Sequence, residues 1–136
     1  MGKRIRAQRK GSSPRYRVRS HRFPGSNRMP RENDIVGEVT ELIHSPVHSA
    51  PLARLKLPDG DTTLVVATEG LSVGSNVAVG NNVSLRPGNI TSIGNIPEGT
   101  AINNLELRPG DGGKVARSAG NSCYVEAKIG EKVRIR

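Results

Sequence analysis

A glycine-rich stretch at 109–120, which reads PGDGGKVARSAG, contains the residues most suited to binding a charged ligand. Closely spaced glycines allow positive φ angles and let the backbone approach a ligand, while Lys114 and Arg117 supply positive charge. A phosphate is the natural ligand of such a loop. A nucleotide-binding P-loop is excluded, because Arg108 and Val115 stand where that motif has a glycine and a hydroxyl residue. A dinucleotide fingerprint is excluded too, since it requires a glycine or alanine at Val115.

Two interpretations of this stretch remain open on composition alone. The glycines could simply form a surface loop between two strands of a small barrel. Alternatively, they could let the main chain lie against an RNA backbone while the two cations pair with phosphates, Arg117 in bidentate fashion. The glycines of this second interpretation are Gly110, Gly112, Gly113 and Gly120, and its cations are Lys114 and Arg117.

The basic charge is concentrated at the two ends of the chain. The net charge is +9. Residues 1–31 carry eleven Lys/Arg and no acid, residues 32–107 carry three against nine acids, and residues 108–136 carry seven against three. A basic segment without carboxylates repels itself and requires a polyanion to become ordered, and nucleic acid is the polyanion that fits best.

The segment 1–34 is too poor in apolar residues to fold alone, and we expect an extended tail that threads along RNA. Rings at Tyr16, His21 and Phe23 alternate with arginines, so they could stack on unpaired bases while the arginines hold phosphates. A solvated tail without a fixed partner, or a localisation signal, is the alternative. The candidate RNA contacts of this segment are Lys3, Arg4, Arg6, Arg9, Lys10, Arg15, Arg17, Arg19, His21 and Arg22.

Other site types find little support in the sequence. His44 and His48 have the spacing of zinc ligands on a helix, but Ser45-Pro46 disfavours a helix there, and we expect the two histidines in a loop that could touch RNA. Cys123 is the single cysteine and is predicted to be packed in a strand. No catalytic constellation, metal site or cofactor is predicted. No apolar run is long enough for a membrane span or a secretory signal, so we expect a cytoplasmic protein.

Short apolar runs separated by turn residues predict an all-β fold. Strands are expected at 35–43, 52–57, 62–67, 77–79 and 83–85, which suits a five-stranded barrel like the oligonucleotide-binding (OB) fold over 35–95. A second unit over 96–136 contains strand candidates at 100–107, 122–129 and 132–136, the last two joined in a hairpin about Gly130-Glu131. Acidic residues of the first unit, Glu38, Glu41, Asp59 and Asp61, are expected on a face turned away from RNA.

Four stretches carry a resemblance to a known family. They are GKRIRAQRKG at 2–11, IPEGT at 96–100, LELRPGDGGK at 105–114 and ARSAG at 116–120. In order and spacing they resemble the second protein of the large ribosomal subunit, in its archaeal and eukaryotic form. The resemblance implies an OB-like first domain, and a second domain that begins an SH3-like barrel.

The resemblance also implies that the glycine-rich stretch contacts ribosomal RNA. By position, the contacts carried over from the family are Gly110, Gly112, Gly113, Lys114, Arg117, Ser118 and Gly120. Relatives continue with the rest of the SH3-like barrel and a C-terminal extension towards the peptidyl-transferase region, so we expect a fragment, an incompletely traced chain, or a protein whose edge a partner completes.

The expected function is that of a structural constituent of the large ribosomal subunit. It would bind ribosomal RNA beside other ribosomal proteins and support assembly, subunit association and translation, without a membrane or a small-molecule substrate. A free-standing single-strand-binding module is the rival, although aromatic residues make up only 2% of the chain. An enzyme would be a third class, but it lacks an identifiable nucleophile, base or metal set.

Overall fold

The chain folds into two antiparallel β-sheets. A computed structural model describes residues 2–6 and 21–136. One sheet has the strand order β3-β2-β1-β4 and the other the order β5-β6-β7, and a short 3-10 turn at Ile93–Asn95 lies between them in sequence. The strands are β1 (Ile35–Ile43), β2 (Leu52–Lys56), β3 (Thr62–Val66), β4 (Asn76–Val79), β5 (Ala101–Ile102), β6 (Cys123–Ile129) and β7 (Lys132–Ile135). The predicted all-β class is confirmed.

Strand β1 organises the first sheet because it pairs with β2 on one side and β4 on the other. Its alternating pattern buries Val39 completely and leaves Glu38 and Thr40 exposed. Val39 packs in one cluster with Leu55 of β2, Val65 of β3 and Val77 of β4, among others. The four strands therefore share one apolar core, which their β-branched residues fill.

The strand predicted at 83–85 does not form, and Leu85 is exposed. The side chain of Asn89 takes the place of a neighbouring strand: its Oδ1 accepts the backbone N–H of Ala78 at 3.0 Å, and its Nδ2 donates to the carbonyl of Ser84 at 2.9 Å. Ile90 then makes a single parallel bridge to Val79. Four regular strands plus this bridge replace the expected five.

The second sheet confirms the predicted hairpin of β6 and β7, with Gly130 in its turn at φ +57°. The strand expected over 100–107 is wrong in extent, because only Ala101–Ile102 pairs with β6. Asn104 has φ +52°, a left-handed conformation that no strand continues. Beyond it the chain enters the glycine-rich stretch.

Candidate functional site

The glycine-rich stretch is a closed loop whose two ends meet. Leu105 and Val115 form an antiparallel bridge, and the Lys114 N–H donates to the Leu105 carbonyl at 2.8 Å. One step further out, the Asn104 N–H donates to the carbonyl of Ala116 at 3.0 Å. Asn104 and Ala116 both have positive φ, at +52° and +53°. Residues 106–114 therefore project from a two-stranded base that fixes where their side chains point.

The carboxylate of Glu106 holds this loop from inside. Its Oε2 accepts the N–H of Gly110 and its Oε1 that of Gly112, both at 3.0 Å. Both glycines have positive φ, +80° and +78°, as the sequence predicts. Successive amides in such a conformation form a concavity that binds anions, and here the anion belongs to the chain itself. Glu106 is not among the residues predicted from the sequence, and the RNA contacts predicted for Gly110 and Gly112 stay predictions, although the amides of both residues already donate to this carboxylate.

Gly112 and Gly113 are buried because two asparagines pack on them. A Cβ at Gly113 would overlap the Asn104 side chain, and one at Gly112 would lie 2.9 Å from the backbone oxygen of Asn27. Asn27 Nδ2 donates to Asn104 Oδ1 at 2.6 Å, and Asn104 Nδ2 returns a bond to Asn27 Oδ1 at 3.2 Å. We call this reciprocal pair, Asn27 and Asn104, the amide clasp. Packing against the clasp explains both glycines without any ligand.

The amide clasp brings part of the basic N-terminal segment onto the folded sheets. Asn27 bridges Leu64 of β3, and the Arg28 N–H donates to the Leu64 carbonyl at 2.8 Å. The Thr63 hydroxyl in turn donates to the Arg28 carbonyl at 2.7 Å. Arg31, which the sequence analysis did not select, lies beside the loop, with its Nε 4.0 Å from where a Cβ at Gly110 would stand. Residues 27 and 28 are thus hydrogen-bonded to the folded part of the chain, whereas the choice between an RNA-threading tail and a solvated tail without a fixed partner stays a prediction.

The structure describes half of the residues selected in the N-terminal segment. Lys3, Arg4, Arg6, His21 and Arg22 are exposed, whereas Arg9, Lys10, Arg15, Arg17 and Arg19 lie outside the described residues. Of the loop residues, Gly110, Lys114, Arg117, Ser118 and Gly120 are exposed and Gly112 and Gly113 are buried. The set is thus divided between accessible cations and glycines that serve the fold.

The two cations of the glycine-rich stretch differ in their partners. Lys114 Nζ lies 3.1 Å from Asp111 Oδ2, and the lysine side chain is about half exposed. Burial alone would raise the pKa of the Asp111 carboxyl, but the hydrogen bond from Lys114, backbone hydrogen bonds at Arg108 and Asp111, and the charge of Lys114 together lower that pKa. Arg117 has no ion-pair partner among residues 2–6 and 21–136. Arg117 is therefore the cation of this stretch best placed to meet an external anion.

Arg117 lies beside the loop that follows β1. Partial burial, and then the nearby charge of Arg117, lower the pKa of His48. His48 Nδ1 is 3.0 Å from the hydroxyl of the buried Ser45, and the Ala119 N–H donates to the Ser49 hydroxyl at 3.0 Å. Residues 45–49 and 117–119 thus meet at one surface of the molecule, although 70 residues separate Ser49 from Ala119. The expectation that His48 sits in a loop is confirmed.

Neither a metal-binding cluster nor a membrane-spanning helix occurs among residues 2–6 and 21–136. The part of the chain that the structure describes contains no group of three His, Cys, Asp or Glu side chains able to hold a metal ion. Over the same residues, no helix combines the length and apolar character required to cross a bilayer.

Gly113→Ala is expected to destabilise the fold, since its new Cβ would displace Asn104 and break the amide clasp. Overpacking of this kind lowers the free energy of unfolding by about 1–3 kcal/mol. Gly94→Ala is the matched control, because open space surrounds that position and its φ is not positive, so its effect should stay within about 0.5 kcal/mol. Urea unfolding measures both variants. Equal stability of the two would contradict the packing role of Gly113.

Stability should fall on acidification through His48. Its lowered pKa means that the folded state favours the neutral imidazole, so the unfolded chain binds more protons below the usual histidine pKa of about 6.5. This contribution is complete above that pH and is lost as pH falls through it towards the lowered pKa of the folded state. Urea midpoints across this range should drop less for His48→Gln than for the wild type. His44→Gln, in the same loop but exposed, is the control, and an unchanged slope in His48→Gln would refute the coupling.

Comparison with known proteins assigns the chain to a family. Residues 2–79 match the family model described as the RNA-binding N-terminal domain of Ribosomal Proteins L2, and residues 86–136 match that of the C-terminal domain. The chain is similar to the large ribosomal subunit protein uL2 of Archaeoglobus fulgidus, with 41% identity over 139 residues, covering 100% of this chain and 59% of the relative. The corresponding protein of Sulfurisphaera tokodaii is 42% identical, covering 100% of this chain and 58% of the relative.

The uL2 protein of Natronomonas pharaonis is 44% identical, with coverage of 99% and 61%. The chain thus spans about three fifths of the length of these curated relatives. Both family models match in chain order and together cover most of the sequence. The chain belongs to the ribosomal protein L2 family.

Proposed function

We propose that this chain binds large-subunit ribosomal RNA as a structural constituent of the ribosome in the cytoplasm, beside other ribosomal proteins, and catalyses no reaction. The observation that carries the proposal is Arg117, which is exposed, has no ion-pair partner among the described residues and is held where two loops meet. An exposed guanidinium without an internal ion-pair partner suits a phosphate, which it can contact in bidentate fashion.

The way the loop is built supports positioning rather than sequence reading. Its base is closed by backbone hydrogen bonds and its interior by Glu106, so little conformational freedom remains to be lost on binding. Contacts to phosphates fix register and orientation, while the shape of folded RNA decides which site fits. Such a protein would support assembly of the subunit, its association with the small subunit, and translation by holding RNA segments in place.

The distribution of acidic groups supports one RNA-facing side. On the first sheet, Glu41 pairs with Arg54 at 2.7 Å between two partly exposed side chains, and Glu38 is exposed on β1. Carboxylates on this sheet would repel phosphates, whereas the sequence around Arg117 carries no acid from 112 to 125. The RNA would therefore lie against the glycine-rich stretch.

The domain organisation belongs to the same proposal. A basic segment at 1–34, an OB-like unit at 35–95 and the beginning of an SH3-like unit at 96–136 are the boundaries we infer. Two separate sheets support the division, as do two family-model matches with a break between residues 79 and 86. Each unit would present one loop, 45–49 and 106–120, to the same RNA.

Arg117→Ala should weaken binding to a folded large-subunit RNA fragment by about 1–3 kcal/mol, the usual loss for a charge-assisted hydrogen bond. Filter binding or fluorescence anisotropy at fixed salt measures the dissociation constant. Arg54→Ala is the matched control, because it removes an arginine that pairs with Glu41 on the first sheet. It should change RNA affinity little and stability by no more than about 1 kcal/mol.

Equal affinities of the wild type and Arg117→Ala would overturn the role of Arg117. Comparable weakening by Arg54→Ala would refute an RNA-facing side. Single-stranded DNA is the second ligand, and tighter binding to it than to the folded fragment would instead favour a free-standing single-strand-binding module.

A further inference from the structure

An open groove of about 870 Å³ is bordered by β3 and β4 of the first sheet, β5 of the second and the start of the glycine-rich loop, away from the residues that contact His48. Apolar side chains from both sheets and from the connection between them form much of its wall, including Val66, Val79, Ile90, Ile96 and Ile102. A volume of this order lies in the range of about 300–1,000 Å³ that small-ligand sites occupy. The groove can therefore take an apolar or planar group of nucleotide size.

Two arginines give the groove a positive edge. Arg31 and Arg108 both line it and are exposed, and neither has an ion-pair partner in residues 2–6 and 21–136. Glu106 is the single acid among the described lining residues, and its two carboxylate oxygens accept the amides of Gly110 and Gly112. The charge of the groove thus favours an anionic occupant.

Thr91 adds an unsatisfied polar atom to the same groove. Its Oγ1 is buried and has no hydrogen-bond partner among residues 2–6 and 21–136, although buried hydroxyl groups nearly always have one. Thr91 lines the groove, and a rotation about its χ1 would bring this hydroxyl to the polar edge of an occupant. An apolar wall, an unpaired hydroxyl and a cationic edge together specify a ligand with a flat apolar face, hydrogen-bonding edges and a negative charge.

We propose that the groove holds one unpaired nucleotide of the bound RNA. The base lies against the apolar wall with an edge hydrogen-bonded to Thr91, and the phosphates that flank it contact Arg31 and Arg108. A planar guanidinium can also stack on a base that has left its helix. The inference rests on the proposed RNA-binding function, and it adds the class of RNA recognised: a strand with a base turned out.

The amide clasp accounts for the presence of Arg31 at the edge of the groove. Asn27 ties the N-terminal segment to β3 and to the glycine-rich loop, and Arg31 follows four residues later. Arg108 comes from the loop itself, within the turn that Glu106 closes. The groove therefore joins the two regions that the sequence marks as basic, through residues other than Arg117.

The experiment uses the whole chain and a folded large-subunit RNA fragment with 4-thiouridine at unpaired positions. After irradiation, the crosslinked peptides are identified by mass spectrometry. We expect crosslinks within residues 88–93 or 102–108. Arg31→Gln and Arg108→Gln should each weaken binding about tenfold and reduce those crosslinks, as loss of a charge-assisted contact predicts. Arg86→Gln, an exposed arginine outside the described lining, is the control and should change neither.

Thr91→Val separates binding from folding. Valine keeps the shape of threonine and removes the unsatisfied hydroxyl, so the urea midpoint should stay the same or rise. RNA affinity and the groove crosslinks should nevertheless fall severalfold. Unchanged RNA affinity in Thr91→Val would overturn the hydrogen bond to the base.

The outcomes distinguish the groove from the wider proposal. Suppose that Arg117→Ala weakens RNA binding, that Arg31→Gln and Arg108→Gln do not, and that the crosslinks form outside the groove. The proposed nucleotide site in the groove is then refuted, and the RNA-binding function stands. If all three arginine variants bind like the wild type, both are refuted. A decaglutamate peptide is the last probe: binding that depends on Arg31 and Arg108, without RNA crosslinks in the groove, would assign the groove to an acidic protein segment and overturn the proposal.

Discussion

The reciprocal hydrogen bonds between Asn27 and Asn104 are the interaction on which the rest of the site depends. Both side chains are buried, and removal of either would leave at least one buried polar atom of the other without its partner, at a loss of about 1–3 kcal/mol. The pair touches three parts of the chain at once: the N-terminal segment, strand β3 through Leu64, and the backbone of Gly113. One buried polar contact thereby sets the relation between a basic segment and a glycine-rich loop that are far apart in sequence.

This contact changes what the glycines of the loop mean. Positions 112 and 113 require glycine because the clasp leaves no room for a Cβ there. The amides of Gly110 and Gly112 already donate to the carboxylate of Glu106. The backbone of the loop is consequently satisfied from within. In the proposed function, anions would be bound by side chains that project from the loop, and the exposed Arg108 and Arg117 have no ion-pair partner among the described residues. A rigid loop that displays guanidinium groups loses less entropy on binding than a flexible one would.

Local patterns allowed much of the fold to be predicted. Strand β1 has the predicted bounds, 35–43, because apolar and β-branched residues fill it, and the hairpin of β6 and β7 is fixed by a glycine that tolerates positive φ. The wrong and missing predictions share one cause, which is a side-chain contact that the local sequence pattern does not show. Residues 83–85 have the composition of a strand, but the side chain of Asn89 occupies the neighbouring amide. Asn27, Arg31 and Glu106 were missed because their roles arise from contacts across 77 residues or inside a turn, which no periodicity reveals.

Composition predicts the attraction of the basic ends of the chain to a polyanion, but it does not predict where their charges lie. A count of cations predicts attraction to a polyanion, yet attraction by itself falls steeply with salt and gives no geometry. Asn27 gives part of that charge a defined position, because Arg28 is hydrogen-bonded to β3 through its backbone and Arg31 lies beside the loop. Charges fixed in this way discriminate between RNA shapes, whereas charges on an unattached tail raise affinity for all of them alike. In the proposed function, recognition of RNA would therefore depend on an uncharged pair of amides, which positions Arg31 beside the loop.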